Sequence, residues 1–136
     1  MNIHRLLIGS LSSIFLGAFV QGAQAQDMDG KALFQKNCAA CHQADGKGIP
    51  GAFPALAGNA LLQGAAADAA TVLLRGRVGM PDFSASLSDA DIARVLTYAR
   101  ASWGNQAGAL SDTEVASLRA SLQAAQAGTG RLSNKH

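Results

Sequence analysis

The sequence has few charged and few aromatic residues. Of its 136 residues, 15% are charged and 5% are aromatic, and the formal net charge is +2. This small charge gives no reason to expect nucleic-acid binding, which normally shows as a basic patch or stripe. Alternating strand patterns and internal repeats are also missing, and the composition is neither disordered nor collagen-like. We therefore expect one ordinary globular domain that binds no nucleic acid.

Large apolar side chains are scarce outside the amino terminus. Eleven of the 36 such residues (V, I, L, M, F, W, Y) fall within residues 1–25, which leaves 25 for the remaining 111 residues. The hydrophobic fraction of the whole chain, 49%, is therefore raised by its first segment. For the rest of the chain, we expect that another group helps to fill the core.

Residues 1–25 have the three-part pattern of a secretory signal peptide. A basic start precedes a mostly apolar run over 6–20, and Ala23 and Ala25 place small residues at the −3 and −1 positions of a cleavage site. The apolar run is shorter than the ~20 residues of a membrane-spanning helix. We predict cleavage after Ala25 and export to the periplasm, with no membrane span after cleavage.

Periodicity and capping residues predict an all-α domain. The expected helices cover residues 29–41, 68–75, 88–103 and 111–122, with a short turn capped by Asn59 between the first two. The Gly- and Pro-rich loops between them are longer than an ordinary helical domain needs. We expect one domain over residues 26–128 and a flexible tail over 129–136.

The two cysteines stand in the sequence Cys38-Ala-Ala-Cys41-His42. A thioredoxin-like redox pair would require a βαβ context, which the sequence lacks. A structural zinc site needs four ligands, and the neighbours Cys41 and His42 are poorly placed to share one tetrahedron with Cys38 and His136. A local disulfide would leave the histidine without a role. The pattern C-x-x-C-H instead predicts one covalent haem c, with thioethers to Cys38 and Cys41 and its iron bound by His42.

The second axial position of that iron has few candidate ligands. Met28 lies too close to the motif to cross the haem, and His136 ends a tail. Met80 follows His42 by 38 residues, which is enough chain to pass around the haem edge. Gly79 and Pro81 flank it, and the proline favours an extended backbone at Met80. A methionine that only fills the core is the alternative, but His/Met ligation is standard in cytochromes c.

Several short patterns together resemble class I cytochrome c, and they cover the chain from about Asp29 to Trp103. They are Gly30-x-x-x-Phe34, the C-x-x-C-H motif, Pro54-x-Leu56, Gly79-Met80-Pro81 and Tyr98. The resemblance implies the cytochrome c fold, in which N- and C-terminal helices cross over a covalently bound haem, and here an extra C-terminal helix follows. It also implies that the Pro54 carbonyl accepts the Nδ1–H of His42 and so fixes the ring.

Arginine side chains near the predicted haem are candidate partners of its propionates, because a partly buried carboxylate needs hydrogen-bond donors. Arg75 and Arg77 are the first candidates, and Trp103 is a weaker one. Two of them have a simpler alternative, since Arg75 would also suit a helix C-terminus and Trp103 would complete an apolar helix face.

The predicted function is electron transfer rather than catalysis. We expect a soluble, monomeric, periplasmic carrier of single electrons. Its donor would be a dehydrogenase or a quinol-oxidising complex, and its acceptor a terminal oxidase or another protein. The segment from Tyr98 to Asn105 and the helix after it also resemble cytochrome subunits of bacterial periplasmic dehydrogenases, although many of those carry three haems. A permanently docked subunit is therefore the alternative, and a haem peroxidase or gas-binding protein is the third possibility.

Overall fold

The computed structural model describes residues 29–133, with side chains described as far as Gly128. Its helices are α1 (Gly30–Asn37), α2 (Ala39–His42), α3 (Ala60–Gln63), α4 (Ala66–Arg75), α5 (Asp89–Arg100) and α6 (Asp112–Ser133). Extended pairing in this range is confined to two isolated bridges, Ile49 with Phe53 and Arg77 with Met80. The all-α prediction is confirmed. The predicted signal peptide, Met28 and His136 lie outside the described residues.

The first predicted helix is divided in two at Cys38. Asp29 caps α1 by accepting a 2.7 Å hydrogen bond from the Ala32 N–H. At its other end the Asn37 side chain donates to the Leu33 carbonyl, a local bond that competes with continuation of the helix. Cys38 then leaves helical geometry, with φ −122° and ψ −34°. The prediction of one continuous helix over 29–41 was wrong at this point.

The next two helices follow their predicted caps. The Asn59 side chain accepts from the Leu61 N–H at 3.0 Å and begins α3. α4 begins at Ala66, two residues before the predicted start, and ends at Arg75, where the predicted Gly76 is the C-cap with a φ of 70°. Its buried face consists of Ala69, Ala70, Leu73 and Leu74.

α5 begins as predicted and ends earlier. Ser88 and Asp91 form a reciprocal capping box at its N-terminus. The helix ends at Arg100, whereas the periodicity predicted that it would reach Trp103. Trp103 has the left-handed φ of 53° and packs at a 4.9 Å centroid distance on the Phe34 ring. Trp103 is apolar because of this tertiary contact and not because it belongs to the helix. The apolar pattern of the sequence therefore continues beyond the true end of α5.

The extra C-terminal helix is present as α6 and is longer than predicted. Ser111 and Glu114 form its capping box: the Glu114 carboxylate accepts from the Ser111 N–H at 2.8 Å, and the Glu114 N–H donates back to the Ser111 hydroxyl. The helix continues to Ser133, inside the segment predicted as a tail. Glycine weakens a helix by only about 1 kcal/mol, so Gly128 alone does not end this one.

The core lies where α1, α4, α5 and α6 meet. Its buried apolar side chains are Leu33, Phe34, Leu62, Ala69, Ala70, Leu73, Leu74, Leu87, Ile92, Ala93, Val95, Leu96, Ala99, Leu110 and Val115. At Gly30 the backbones of α1 and α5 are in contact, since a methyl group there would lie 2.8 Å from Tyr98 Cβ and would collide with the Arg94 carbonyl. Within residues 29–133, no helix combines the length and apolar content needed to cross a bilayer.

Candidate haem-binding site

The C-x-x-C-H residues lie at the break between α1 and α2 and along α2. Cys38 and Cys41 are free, half-buried thiols, and together with His42 they line one cleft. Burial raises the pKa of the Cys38 thiol to about 11, and the neighbouring Cys41 contributes a smaller rise. The Cys38 thiol is therefore a weaker acid than an ordinary cysteine, as suits an apolar surrounding.

The His42 ring is held by the loop over residues 43–58, which we call the Pro54 loop. Its Nδ1 lies 3.0 Å from the Pro54 carbonyl oxygen. A carbonyl can only accept, so this bond requires the tautomer with the proton on Nδ1 and leaves the Nε2 lone pair available. The ring is buried, and the His42 carbonyl in turn accepts from the Gly48 N–H at 2.9 Å. The ring position is therefore set by one segment of backbone.

Met80 enters the same cleft from the loop over residues 76–88, which we call the Met80 loop. Its backbone exchanges two hydrogen bonds with Arg77, at 2.7 and 3.0 Å. Gly79 has a φ of 78°, which turns the chain back at this point. The side chain of Met80 is partly buried and packs against the core cluster. The turn thus presents a thioether to the cleft that also contains His42.

The cleft that these loops enclose has a volume of about 290 Å³ and a mostly apolar lining. Besides the residues already named, its walls include Phe34, Phe53, Leu56, Leu61, Leu62, Val72, Leu73, Phe83, Val95 and Leu96. Such a lining favours a large apolar ligand that needs few polar contacts.

Comparison of the chain with known protein families finds one match. The family described as cytochrome c oxidase, cbb3-type, subunit III matches residues 25–98, which is more than half of the chain. The chain belongs to this family. It is a class I c-type cytochrome with the all-α cytochrome c fold, an electron-transfer haem protein rather than an enzyme. No curated protein matches the chain.

The residues of the cleft fit the haem c that the family implies. Cys38 and Cys41 are a free pair at the spacing of the two thioether attachments. A haem brings four ring nitrogens to its iron, so the protein needs to supply only axial donors. Within residues 29–133, no three His, Cys, Asp or Glu side chains are grouped so that they could hold a metal ion by themselves.

The structure separates the predicted propionate partners of this cytochrome. Arg77 lines the cleft. Arg75 is exposed and lines a different surface depression, together with Asp82 and Gln126. Trp103 packs on Phe34 and is absent from the cleft lining. Of the three, only Arg77 is brought to the predicted site.

Sequence reasoning missed two buried polar residues that follow the cleft-lining part of α5. The Arg100 guanidinium is 5% exposed and donates to the carbonyls of Leu62, Gly64 and Gly108 at 2.7–3.0 Å. Asn105 is 3% exposed and also bonds three backbone groups. A signal existed for the arginine, which occupies the core face of α5 four residues after Leu96. Asn105 follows the end of the helix, where periodicity carries no information.

Proposed function

We propose that this cytochrome is an exported, soluble, monomeric carrier of single electrons in the periplasm, with one haem iron held by His42 and Met80. It takes electrons from a dehydrogenase or a quinol-oxidising complex and passes them to a terminal oxidase or another acceptor. The observation that carries the proposal is the shared cleft, which His42 and Met80 both line. The Pro54 carbonyl occupies Nδ1 of His42 and leaves Nε2 for the iron.

The proposed axial pair has a direct functional consequence. Haem iron, when bound, supplies one-electron redox chemistry, and His/Met ligation raises its reduction potential. If His42 and Met80 both bound the iron, they would leave no position on it for a small-molecule substrate. The apolar walls of the cleft exclude water, and Arg77 at its lining is the proposed partner of a propionate.

Electrons would enter and leave at the exposed rim of the cleft. Val78 is fully exposed while it also lines the cleft, and Ala52 and Pro81 are further exposed lining residues. A small apolar rim suits the brief, low-area encounters of electron-transfer proteins. A partner that covers Val78 would therefore approach the haem closely without displacing a ligand.

Two observations favour a free carrier over a docked subunit. The apolar positions of α6, Val115, Leu118 and Leu122, pack against the chain's own core. After Leu122 the described side chains of α6, residues 123–128, are exposed and consist of Ala, Gln and Gly. As far as Gly128, where its described side chains end, α6 therefore presents no second apolar face for an obligate partner. The family match begins at residue 25, beside the predicted cleavage site, which supports export.

An absorption spectrum tests the proposed ligation. The oxidised protein is expected to be low-spin, with the weak near-infrared band of a sulfur–iron bond. Met80→Ala should abolish this band, because it removes the proposed sulfur ligand. Met28→Ala is the matched control and should keep it. A high-spin spectrum of the unmodified protein, or rapid binding of carbon monoxide to its reduced form, would contradict the proposal.

The proposed role as a free carrier is tested by purification from the native cell. The exported protein should elute at the size of a monomer, and it should exchange electrons with a periplasmic dehydrogenase in a salt-insensitive manner, because its net charge is small. Elution in a stable complex with a dehydrogenase would instead establish the docked subunit.

A further inference from the structure

We infer that Asn105 is a positioning residue for the iron ligand His42, acting through the Pro54 loop. This inference rests on the proposed ligation of iron by His42. It assigns a role in the redox site to the segment after α5. Asn105 does not line the cleft, and its effect is therefore transmitted by backbone.

Asn105 joins the end of α5 to the Pro54 loop by three hydrogen bonds. Its Nδ2 donates to the Ala99 carbonyl at 3.0 Å and to the Leu56 carbonyl at 2.9 Å. Its Oδ1 accepts from the Gly58 N–H at 3.0 Å. The side chain is 3% exposed, so these bonds are sheltered from competing water. Both Leu56 and Gly58 are thereby fixed relative to the helix.

The fixed residues adjoin the group that orients His42. Pro54, whose carbonyl lies 3.0 Å from His42 Nδ1, precedes Leu56 by two residues. The Leu56 N–H donates to the Gly46 carbonyl at 2.7 Å, which closes the Pro54 loop on itself. Since the loop is closed, a shift of Leu56 moves the Pro54 carbonyl. Asn105 thus sets the hydrogen bond that fixes the tautomer and basicity of the ring.

Trp103 supplies independent support for this arrangement. Its φ of 53° is unfavourable for a residue with a side chain, so the surrounding contacts must hold it. The indole lies against Gly46, where a methyl group would come within 2.5 Å of ring atom Cδ2. The segment after α5 therefore contacts the Pro54 loop twice, through Trp103 at Gly46 and through Asn105 at Leu56 and Gly58.

The test measures hydrogen exchange of the His42 Nδ1–H by NMR in the holo-cytochrome. In Asn105→Ala, exchange of this proton should rise about tenfold or more relative to the buried Leu96 amide, as expected for the loss of a net hydrogen bond. The reduction potential of the Asn105→Ala variant should also rise, because a His42 ring with a weaker Nδ1–H···O bond donates less charge to ferric iron.

Two control variants separate positioning from stability. Ser102→Ala removes the 2.7 Å bond that the Ser102 hydroxyl donates to the Tyr98 carbonyl in the same segment, and this bond does not involve the Pro54 loop. Arg100→Lys weakens buried bonds to α3 and to Gly108. In both, the ratio of His42 Nδ1–H to Leu96 exchange should stay at the wild-type value. If Asn105→Ala also leaves the ratio unchanged, the inference is overturned.

The wild-type protein provides a test that does not depend on folding of the variant. The side-chain amide protons of Asn105 and the Nδ1 proton of His42 should be exposed by the same local opening, with protection factors that agree within about threefold. Protection that differs by orders of magnitude would overturn the inference. A His42 ring without hyperfine shifts in the ferric protein would instead contradict the proposed iron ligation.

Discussion

The two loops that bring His42 and Met80 to the cleft are held in different ways. The Pro54 loop is bonded along its length: Gly48 bonds to His42, Leu56 bonds to Gly46, and Asn105 bonds to Leu56 and Gly58. The Met80 loop is anchored mainly at its ends.

At the near end of the Met80 loop, the Gly76 N–H donates to Val72 of α4. Towards the far end, the Phe83 N–H donates to Leu73, and Arg119 of α6 donates to the carbonyls of Ser84 and Leu87. Between these anchors, Arg77 and Met80 bond to each other, and Val78 is fully exposed. The Pro54 loop is thus fixed by bonds along its length, whereas the part of the Met80 loop that contains Met80 is held by a short turn.

The difference suggests a division of roles between the loops. Bonds distributed along a segment resist its local opening, so the Pro54 loop is suited to keep one ligand in place permanently. A turn bonded to itself opens at lower cost, and the same exposure that weakens it brings Val78 to the partner surface. We expect Met80 to leave the iron under milder conditions than His42.

Removal of both attachment sulfurs should abolish the difference in how firmly the Pro54 loop and the Met80 loop are held. In the double variant Cys38→Ala, Cys41→Ala, the chain loses covalent haem and with it the group that both loops enclose. We expect loss of the cooperative thermal transition and of near-UV circular dichroism, as in a molten state. Cys41→Ala alone, which retains one attachment, should keep the transition. Near-native near-UV signals from the double variant would contradict this.

A matched pair of glycine substitutions compares the loops directly. Gly48 and Gly79 have φ values of 63° and 78°, so alanine costs about 1–2 kcal/mol of backbone strain at either. At Gly48 the added methyl would also lie 2.6 Å from the Pro54 carbonyl oxygen, whereas at Gly79 nothing lies within 4 Å. Gly48→Ala should lower the free energy of unfolding by about 3 kcal/mol or more, measured by denaturant titration. Equal losses of unfolding free energy in Gly48→Ala and Gly79→Ala would show that the two loops do not differ in this respect.

Arg119 tests the anchorage of the Met80 loop. Arg119→Ala removes its bonds to the Ser84 and Leu87 carbonyls and should destabilise the protein by about 1–2 kcal/mol. The near-infrared sulfur–iron band should then disappear at a lower temperature than in wild type. Asp89→Asn is the control, since it removes only the charge of the 2.7 Å ion pair and should cost less than about 1 kcal/mol. If the control equals the test variant, the carbonyl bonds do not hold the loop.

The smallest effect concerns the pH response of the Pro54 loop. The Lys47 backbone N–H, helped by the Lys47 side chain, lowers the pKa of Asp45 below its ordinary value of 3.8. A lowered folded-state pKa stabilises the protein above the unfolded-state value, and this contribution is lost as the pH falls through the folded-state pKa. NMR titration should find Asp45 below 3.8, and Lys47→Ala should preserve part of the lowering. An ordinary Asp45 pKa would refute the turn geometry.

Local features of the site could be predicted from the sequence, whereas features that depend on packing could not. The C-x-x-C-H spacing predicted the attachment residues, because it is a local pattern with one established chemistry. The caps at Asn59, Ser88 and Ser111 were predicted for the same reason, since capping depends on residues within one turn. The sequence could not show which of Arg75 and Arg77 reaches the cleft. The two residues are only two positions apart, and the packing of α4 decides which one lines the cleft.

What the sequence by itself determined is therefore local: the helical pattern, the cap positions, the haem-attachment motif and the candidate ligand Met80. The tertiary structure alone decided the end of α5 before Trp103 and the bonds of Arg100 and Asn105 to distant backbone groups. Those bonds join residues 36 to 49 positions apart, apart from the link of Arg100 to Gly108 and that of Asn105 to Ala99. Sequence patterns report periodicity within one element, whereas such contacts depend on how elements pack, and packing fixes the position of His42.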